Sequence, residues 1–486
     1  MINEELRGRD WIKILSDDEI EKIHERSLDI LNQVGIRIEH NEGLKVLQEA
    51  GAEINFERKI AKIPPNLVQQ CLNTTPPSFI LAGRNPAHDC HIQPGGRPYS
   101  RNGGGSDFTL DLETDEFRPL LHKDVIDYFR LMDALDHIEF VAPIYGQDIP
   151  QHVRDIVVMQ ELLANTDKHV HMRAYSKKSL EYILKLAEVV AGGKKELKER
   201  PLLSLLEAPV SPLNFINITV DALWMCGEYG IPVELCCMPI SGATGPMTMA
   251  GNVLLFNVEF LGCVVLSQLV HPGAPLEYAP RPMIMNLRNG IGLTGSIEGG
   301  MMSAAGAQLA RYYNIPVSLH GPWTDSMIPD GQSSFERTHF TMMAAFAGAH
   351  VLSGSGMVQQ GLAFSHVQLV IDEEINGSVL KALEGFSVDD DTLGFDAISR
   401  VGPGGNFLKD KHTRKFLREE RYQSNILFRG TRESWDAAGS KKFMERARDR
   451  ARMLITEHKP NPLPDYISKD LDSLVKDATR LLETGK

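Results

Sequence analysis

Short apolar runs alternate with longer helical stretches through most of the chain. Each run ends in Gly, Pro, Ser or Asn and is followed by a helical stretch, such as NVLLFNVEFLGCVVLSQLV from Asn252. Strands that are buried on both faces of a parallel sheet read as continuous apolar runs. The runs begin at eight places: Tyr99, Phe140, His169, Leu202, Val233, Leu276, Val317 and His350. Eight strand and helix units in this order predict an α/β fold, a TIM (β/α)8 barrel, with a doubly wound open sheet as the alternative.

The two ends of the chain have different patterns. A helix is predicted from Asp17 to Val34 after a capping segment at Ser16, and shorter runs such as FILAG at Phe79 follow. From about Val401 the chain is charged and helical, and KKFMERARDRARMLITEH from Lys441 is typical of a surface helix packed on the barrel. We therefore predict an N-terminal α+β addition (1–95), the barrel (96–400) and a helical C-terminal extension (401–486).

Composition narrows the function classes. The chain has 486 residues, 42% of them hydrophobic, which is enough to bury a large core. Its net charge is −13 with dispersed Lys and Arg, which argues against nucleic acid as a partner. The six cysteines lack the spacing of a disulfide framework, which favours a reducing compartment. The N-terminus MINEELRGRD is charged and no long uncharged apolar run follows, so we expect a cytoplasmic protein without a membrane partner.

The active site of a barrel gathers at the C-terminal ends of its strands. The residues near those predicted ends include many aromatic and uncharged polar side chains, and an aromatic mouth suits a cation held by ring faces. The alternative is that several rings cap the barrel core. Our candidates for substrate binding are Tyr99, Tyr145, Arg281, Trp323, Gln359, Phe364, His366 and Gln368, and our catalytic candidate is Asp325.

Metal and nucleotide sites are weakly indicated. Two groups could supply metal ligands, His169 with His171, and Cys236 with Cys237, His320 and Glu234. The histidines open their strand where ligands should close it, and adjacent cysteines on a strand face opposite sides, so we predict no metal site. The glycine-rich segments NGGGSD and GPGGN match neither phosphate-binding signature and are explained as turns.

Three long stretches resemble the trimethylamine methyltransferase superfamily. They are YYNIPVSLHGPWTDSMIPDGQSSFE from Tyr312, AFAGAHVLSGSGMVQQGLAFSHVQLVIDEE from Ala345, and VGPGGNFLKDKHTRKFLREE from Val401. The resemblance extends over essentially the whole chain, including DLETDEFRPLLHKDV from Asp111 and the region near Trp435. It implies a TIM barrel that moves a methyl group from a methylated amine to the Co(I) corrinoid (cobalamin) of a small partner protein, with no cofactor held tightly by the chain itself.

The resemblance also bears on the substrate. Family members specific for trimethylamine carry pyrrolysine near the segment that reads GPWTDSM here, whereas this chain has Trp323 at or beside that place. The chain therefore resembles the branch without pyrrolysine, which demethylates quaternary amines such as glycine betaine, proline betaine, carnitine and γ-butyrobetaine. The choice among these substrates stays open. We expect a homo-oligomer of unspecified size.

These implications assign roles to the candidates. Trp323, Tyr99 and Phe364 are expected to hold the cation, while Asp325 orients the pocket floor or, alternatively, caps a loop. The carboxylate of the substrate is expected to meet one of four side chains, His366, Gln359, Gln368 or Arg281. Two other functions remain as alternatives, a non-catalytic betaine-binding sensor and a zinc-dependent corrinoid methyltransferase.

Overall fold

The computed structural model describes residues 9–483 and is built around a closed barrel of parallel strands. Each strand except the sixth pairs in parallel with the next along the chain, and the last pairs with the first. A bridge from Tyr278 to Val317 joins the sixth strand to the segment that leads into the seventh. The strands are β1 (Tyr99–Asn102), β2 (Phe140–Val141), β3 (His169–Met172), β4 (Leu203–Glu207), β5 (Val233–Cys237), β6 (Leu276–Pro280), β7 (Ser318–His320) and β8 (Val351–Ser355). The predicted TIM barrel is confirmed, and closure excludes the open sheet.

One helix follows each strand and covers the outside of the barrel. The helices are α1 (His122–Ala134), α2 (Arg154–Asn165), α3 (Lys177–Ala191), α4 (Asn217–Tyr229), α5 (Met249–Val270), α6 (Ile297–Tyr312), α7 (Gly331–Phe346) and α8 (His366–Glu384). Helix α5 is long and apolar enough to cross a membrane by length and composition, yet 83% of its most apolar window is buried inside the protein. It packs against the N-terminal addition as well as against the barrel.

The helices of the N-terminal addition pack on α5 outside the barrel, and its hairpin closes the N-terminal end of the barrel. Its helices are Asp17–Gln33, Asn41–Glu49 and Pro65–Thr74, and its strands are Ile36–Ile38, Glu53–Asn55, Ile60–Lys62, Phe79–Leu81 and Cys90–Ile92. The first three strands form a sheet with Asn214–Phe215, which follows β4. The last two form a hairpin that packs Leu81 and Ile92 against Phe140 and Val351, the first residues of β2 and β8. Apolar side chains therefore fill the N-terminal end of the barrel, which we call the plugged end.

The loops at the opposite, C-terminal end of the barrel form two further small sheets. One sheet combines Phe108–Leu110, Phe117–Pro119, Met357–Val358 and Ala363–Ser365, from the loops after β1 and β8. The other combines Ile240–Ser241, Met283–Met285 and Gly292–Leu293, from the loops after β5 and β6. Four short helical segments complete the connections: Gln151–Val153 and Gln359–Gly361 at this end, Pro86–His88 in the N-terminal hairpin and Lys194–Glu199 before β4. These loops give the C-terminal end rigid walls.

The C-terminal extension returns to the outside of the barrel. Its helices are Asp390–Leu393, Phe395–Val401, Lys411–Phe416, Arg432–Ala437, Phe443–Glu457 and Asp465–Glu483. Phe443–Glu457 packs on α8 and α1, which confirms the surface helix predicted from Lys441. The proposed domain limit at 95 falls between two strands, whereas the limit at 400 falls inside the helix Phe395–Val401. Positions 1–8, which open the charged N-terminus, and 484–486 lie outside the described residues.

Candidate active site

A cavity of about 180 Å³ lies at the C-terminal end of the barrel, inside the ring of strands. Its floor is formed by side chains from several strands: Arg101 of β1, His171 of β3, Cys236 of β5, Arg281 directly after β6, His320 of β7 and Ser353 of β8. Its walls and rim include Gly103, Tyr145, Arg173, Tyr175, Met238 and Trp323. Tyr175 and Met238 are 55% and 41% exposed, so the rim is open to solvent.

A buried ion-pair network lies in the floor. Glu234 of β5 accepts hydrogen bonds on both carboxylate oxygens from one nitrogen of Arg101, each at 3.0 Å, and one from Arg281, also at 3.0 Å. Arg281 also donates to the carbonyl and hydroxyl oxygens of Ser318, at 2.8 and 2.7 Å. The two guanidinium groups are thereby held side by side across the barrel.

The pKa values of two carboxyl groups on adjacent strands are shifted in opposite directions. Burial alone would raise the pKa of Glu234, but the charges of Arg101 and Arg281 outweigh it and hold that pKa below its ordinary value. Glu277 lies opposite Glu234 in the register of β5 and β6. Burial, together with the charge of Glu234, raises the pKa of Glu277 well above its ordinary value. The two neighbouring carboxyl groups are therefore shifted in opposite directions, Glu234 toward the ionised form and Glu277 toward the neutral form.

The two floor histidines are neutral. Burial, with the nearby arginines adding to the effect, lowers the pKa of both His171 and His320 well below the ordinary value. The ring of His171 is 2.8 Å from the Ser204 hydroxyl through Nδ1, and the same hydroxyl is 2.9 Å from Nε2 of His169. Across residues 9–483, no group of three or more His, Cys, Asp or Glu side chains is arranged to hold a metal ion.

Four buried polar atoms of cavity-lining residues have no hydrogen-bond partner within the described part of the chain. They are the Tyr145 hydroxyl, Nε1 of Trp323, Nε2 of His171 and Nε of Arg101. An unsatisfied buried polar group costs about 1–3 kcal/mol, so such atoms normally meet a ligand or ordered water. Burial also raises the pKa of Tyr145 well above its ordinary value, which keeps the phenol protonated as a donor. The cavity thus offers unused hydrogen-bonding capacity.

Three aromatic rings face the same space. Trp323 is half-buried and stacks on His320 with ring centroids 4.1 Å apart, which fixes its plane. The rings of Tyr145 and Tyr175 lie 5.8 Å apart at the opposite wall. Gly103 lines the cavity between these walls, where a Cβ atom would lie 1.9 Å from Sδ of Met357, so only glycine fits. The arrangement combines aromatic faces near the rim with guanidinium groups at the floor.

Three of the residues predicted from the sequence line this cavity, namely Tyr145, Arg281 and Trp323. Tyr99 begins β1 instead of ending it, and its hydroxyl accepts a hydrogen bond at 3.1 Å from the backbone N–H of His91 in the N-terminal hairpin. The prediction for Tyr99 is corrected by this position, which is at the plugged end of the barrel.

The remaining candidates lie around the loop after β8 and outside the cavity lining. Phe364 and His366 pack on the ring of Tyr128, with centroids 4.9 and 3.6 Å away. Gln368 is fully buried, accepting from Ser333 at 2.8 Å and donating to Asp372 at 2.9 Å. These three side chains are packed or paired within the protein, which leaves none of them directed at the cavity.

Two loop residues have similar structural partners. Gln359 donates to the carbonyl of Met327 at 3.0 Å. Asp325 accepts from the backbone N–H groups of Thr294 at 2.9 Å and Gly295 at 3.1 Å, as the loop-cap alternative expects. It therefore joins the loops after β6 and β7 and does not line the cavity.

The sequence analysis missed the charged floor. Arg101, Arg173 and Glu277 were not among the candidates, and Glu234 and His320 were considered only as zinc ligands. A signal was present, because Arg101, Glu234 and Glu277 interrupt otherwise apolar strand runs. A charge on a strand that is covered on both faces must be paired or must face a cavity.

Comparison with known proteins shows which family the sequence of this chain matches. The family model described as trimethylamine methyltransferase (MTTB) matches residues 3–482. A trimethylamine methyltransferase MttB from Desulfitobacterium hafniense strain DSM 10664 / DCB-2 is 38% identical over 95% of this chain and 93% of that protein. A glycine betaine methyltransferase from D. hafniense strain Y51 is 31% identical over 97% of this chain and 98% of that protein.

A solved structure with the same fold is the monomethylamine methyltransferase of Methanosarcina barkeri. It aligns with a TM-score of 0.55 over 93% of this chain and 89% of that one, at 12% sequence identity. At this identity the likeness concerns the barrel architecture alone.

Proposed function

Because the chain belongs to the trimethylamine methyltransferase family, we propose that this methyltransferase takes its methyl group from a betaine, a quaternary amine with a carboxylate, and delivers it to a corrinoid on a separate protein. The observation that carries the choice of substrate is the charge of the cavity. Three guanidinium groups, those of Arg101, Arg173 and Arg281, line it, and no carboxylate does so among the described lining residues. A 31% identical relative named glycine betaine methyltransferase supports the same choice.

The charge balance disfavours a substrate that is only a cation. Glu234 neutralises one of the three guanidinium charges, and burial favours the neutral form of Glu277, which leaves the site positive. A trimethylammonium ion would be repelled by this field in a partly desolvated space. A betaine carries its own carboxylate, which guanidinium groups bind in favourable geometry. The positive floor is therefore an attraction for the anionic end of the substrate and orients the molecule.

The aromatic rim suits the other end of such a substrate. With the carboxylate at Arg101 and Arg281, the quaternary nitrogen would lie toward Trp323, Tyr145 and Tyr175. Ring faces stabilise a permanent cation by roughly 0.5–2 kcal/mol each. A methyl group on that nitrogen is then presented toward the open rim, where the acceptor must arrive.

The chain itself needs to supply little chemical activation. The leaving group is a neutral tertiary amine, so no side chain has to donate a proton to it. The residues of the cavity bind, orient and dehydrate the substrate, which brings the methyl carbon into line for transfer. A corrinoid in its Co(I) state supplies the nucleophile that accepts the methyl group.

The surface around the cavity fits a docked corrinoid carrier. Exposed apolar side chains surround the opening on loops after β5, β6 and β7: Met238, Met247, Leu287, Ile291, Met327 and Ile328. An exposed apolar patch of this kind marks an interaction surface, and a flat macrocycle carried by a small protein matches its position. We further propose a cytoplasmic location, because a reducing compartment suits both Co(I) and the six free cysteines.

A substrate panel tests the proposal. The purified protein would be mixed with Co(I) corrinoid and with glycine betaine, proline betaine, carnitine, γ-butyrobetaine, choline or trimethylamine, and methyl-cobalt formation followed by absorbance. We expect transfer from at least one betaine. Choline is the matched control, because it keeps the quaternary nitrogen and replaces the carboxylate by a hydroxyl. Transfer from trimethylamine or choline at the rate of the best betaine would contradict the proposal.

Two further measurements, of betaine binding and of zinc content, separate the proposal from the two alternatives. Tight binding of a betaine without methyl-cobalt formation, with either free corrinoid or a corrinoid protein, would favour the non-catalytic sensor. One zinc ion per chain, removed by a chelator together with activity, would favour the zinc-dependent enzyme.

A further inference from the structure

Residues 386–421, which we call the arm, form a folded segment with almost no core of its own. The arm contains the helices Asp390–Leu393, Phe395–Val401 and Lys411–Phe416. Eight of its large apolar side chains are exposed, among them Phe395 at 74% and Leu408 at 84%. Ala397 is its one buried hydrophobic residue. Ordering backbone costs about 1–2 kcal/mol per residue, which this little apolar burial does not offset.

The polar contacts of the arm are also internal. Lys415 binds Asp391 at 2.7 Å, Arg400 binds Asp410 at 3.1 Å, and the ring of His412 lies 3.1 Å from the carbonyl of Asp391. No hydrogen bond or ion pair joins the arm to another part of residues 9–483. The polar contacts of the arm therefore join its own helices, and its apolar side chains form a larger exposed surface than scattered residues would give.

The position of the arm restricts what can cover it. Helix α8 starts at the cavity end of the barrel and runs back, so the arm leaves the barrel after Glu384 at the plugged end. The chain rejoins the barrel at Tyr422, whose hydroxyl lies 3.1 Å from the carboxylate of Glu374. Both attachments lie away from the rim of the cavity. A corrinoid carrier docked at the rim is therefore not the protein that covers the arm.

Charge complementarity identifies the partner. Asp390 and Asp396 on the arm have no ion partner in the described part of the chain, and the same holds for the basic side chains of Lys409, Lys411, Arg414 and Arg418. A surface that carries both signs and an apolar centre can match itself after a rotation of 180°. We infer that the arms of two copies of this chain pack against each other around a two-fold axis, with the acidic residues of one copy facing the basic residues of the other.

The first test measures the mass of the protein in solution. We expect the wild type to form dimers or larger even-numbered assemblies in sedimentation velocity at micromolar concentration. The double variant Phe395→Asp with Leu408→Asp should raise the dissociation constant of the arm contact about thirtyfold or more. The control is Leu287→Asp, because Leu287 is 74% exposed but lies in the loop after β6 at the cavity end. This control should leave the mass unchanged. A monomeric wild type, or equal effects of both variants, would overturn the inference.

The second test exchanges charges. One variant carries Asp390→Lys and Asp396→Lys, and the other carries Arg414→Glu and Arg418→Glu. Alone, each variant faces a copy with like charge and should dissociate, whereas an equal mixture should form mixed dimers with wild-type affinity. Circular dichroism melting confirms that each variant is folded, which is expected because all four side chains are exposed.

Failure to recover dimers in the mixture would overturn the two-fold arrangement. Loss of binding to a corrinoid protein by the arm variants, with self-association unchanged, would assign the arm to that carrier instead and would likewise overturn the inference. Neither result depends on which amine the enzyme demethylates, so the proposed substrate is tested separately.

Discussion

Lys168 and Tyr145 lie at opposite ends of one barrel and are both almost fully buried, yet only the polar group of Lys168 has hydrogen-bond partners. At the plugged end, Nζ of Lys168 donates to the carbonyls of Met132, Leu135 and Ile138 at 2.9, 2.7 and 2.7 Å, where α1 ends. At the cavity end, the hydroxyl of Tyr145 has no partner within the described residues. The same barrel thus contains one buried polar group that is fully paired and another that is unpaired.

This difference separates stability from function. Paired buried groups stabilise a fold, whereas unpaired buried groups are a cost that a protein retains where a ligand supplies the missing partner. In a barrel the C-terminal end of the strands is where ligands bind. We therefore expect substitutions at the plugged end to change unfolding and substitutions at the cavity end to change binding, with the charged floor between them affecting stability most.

The largest effect is expected from Glu234→Gln. The substitution leaves the guanidinium groups of Arg101 and Arg281 buried without a counter-charge and should lower the free energy of unfolding by about 3–5 kcal/mol. The matched control is Glu277→Gln on the adjacent strand, because burial raises the pKa of Glu277 and so favours its neutral form, whose shape an amide imitates. That change should cost less than about 1 kcal/mol. Urea unfolding measures both losses, and equal losses would contradict the opposite pKa shifts of the two carboxyl groups.

A smaller loss of stability is expected from Lys168→Met at the plugged end. The three carbonyl groups at the end of α1 would lose their donor, at a cost of about 3 kcal/mol. The Michaelis constant for the substrate should stay the same, because Lys168 does not line the cavity. Chemical denaturation and steady-state kinetics on the same preparation give both quantities. A large rise in the Michaelis constant with unchanged stability would contradict the role of Lys168 in stability alone.

Trp323→Leu should affect binding with little effect on folding. Leucine keeps apolar bulk but removes the ring face, so betaine affinity should fall by about 1–2 kcal/mol, roughly five- to thirtyfold. Titration calorimetry measures the affinity, and a neutral isostere with carbon in place of the ammonium nitrogen serves as the control ligand. If affinity is unchanged while the melting temperature falls by many degrees, Trp323 is only packing against His320.

The smallest effects compare two tyrosines. Tyr145→Phe removes a hydroxyl without a partner, so stability should be unchanged or slightly higher while betaine affinity falls about fivefold, or about 1 kcal/mol. Tyr99→Phe removes a hydroxyl that accepts from His91, so stability should fall by about 1 kcal/mol with affinity unchanged. Thermal melting and calorimetry on both variants test this pair. Equal changes in stability and affinity for both variants would contradict the difference between the two tyrosines.

The sequence alone was enough to predict the barrel and a helix that packs on its outside. The eight apolar runs beginning at Tyr99 and ending with that at His350 correspond to β1–β8, and the helix predicted near Lys441 is present as Phe443–Glu457. These features depend on local periodicity and on turn residues, which are read within a window of a few residues. A strand run followed by a helix has one low-energy way to pack, so repetition of the unit specifies the fold.

The identity of the cavity residues was decided by tertiary structure. Tyr99 and Tyr145 both flank predicted strands, but only register and strand length place one at the plugged end and the other at the cavity. Arg101, Glu234 and Arg281 are far apart in sequence, and they meet because the closed barrel turns their strands toward one axis. Such contacts depend on how the barrel closes, on the tilt of its strands and on the direction of each side chain. A local pattern of hydrophobic and polar positions does not contain this information.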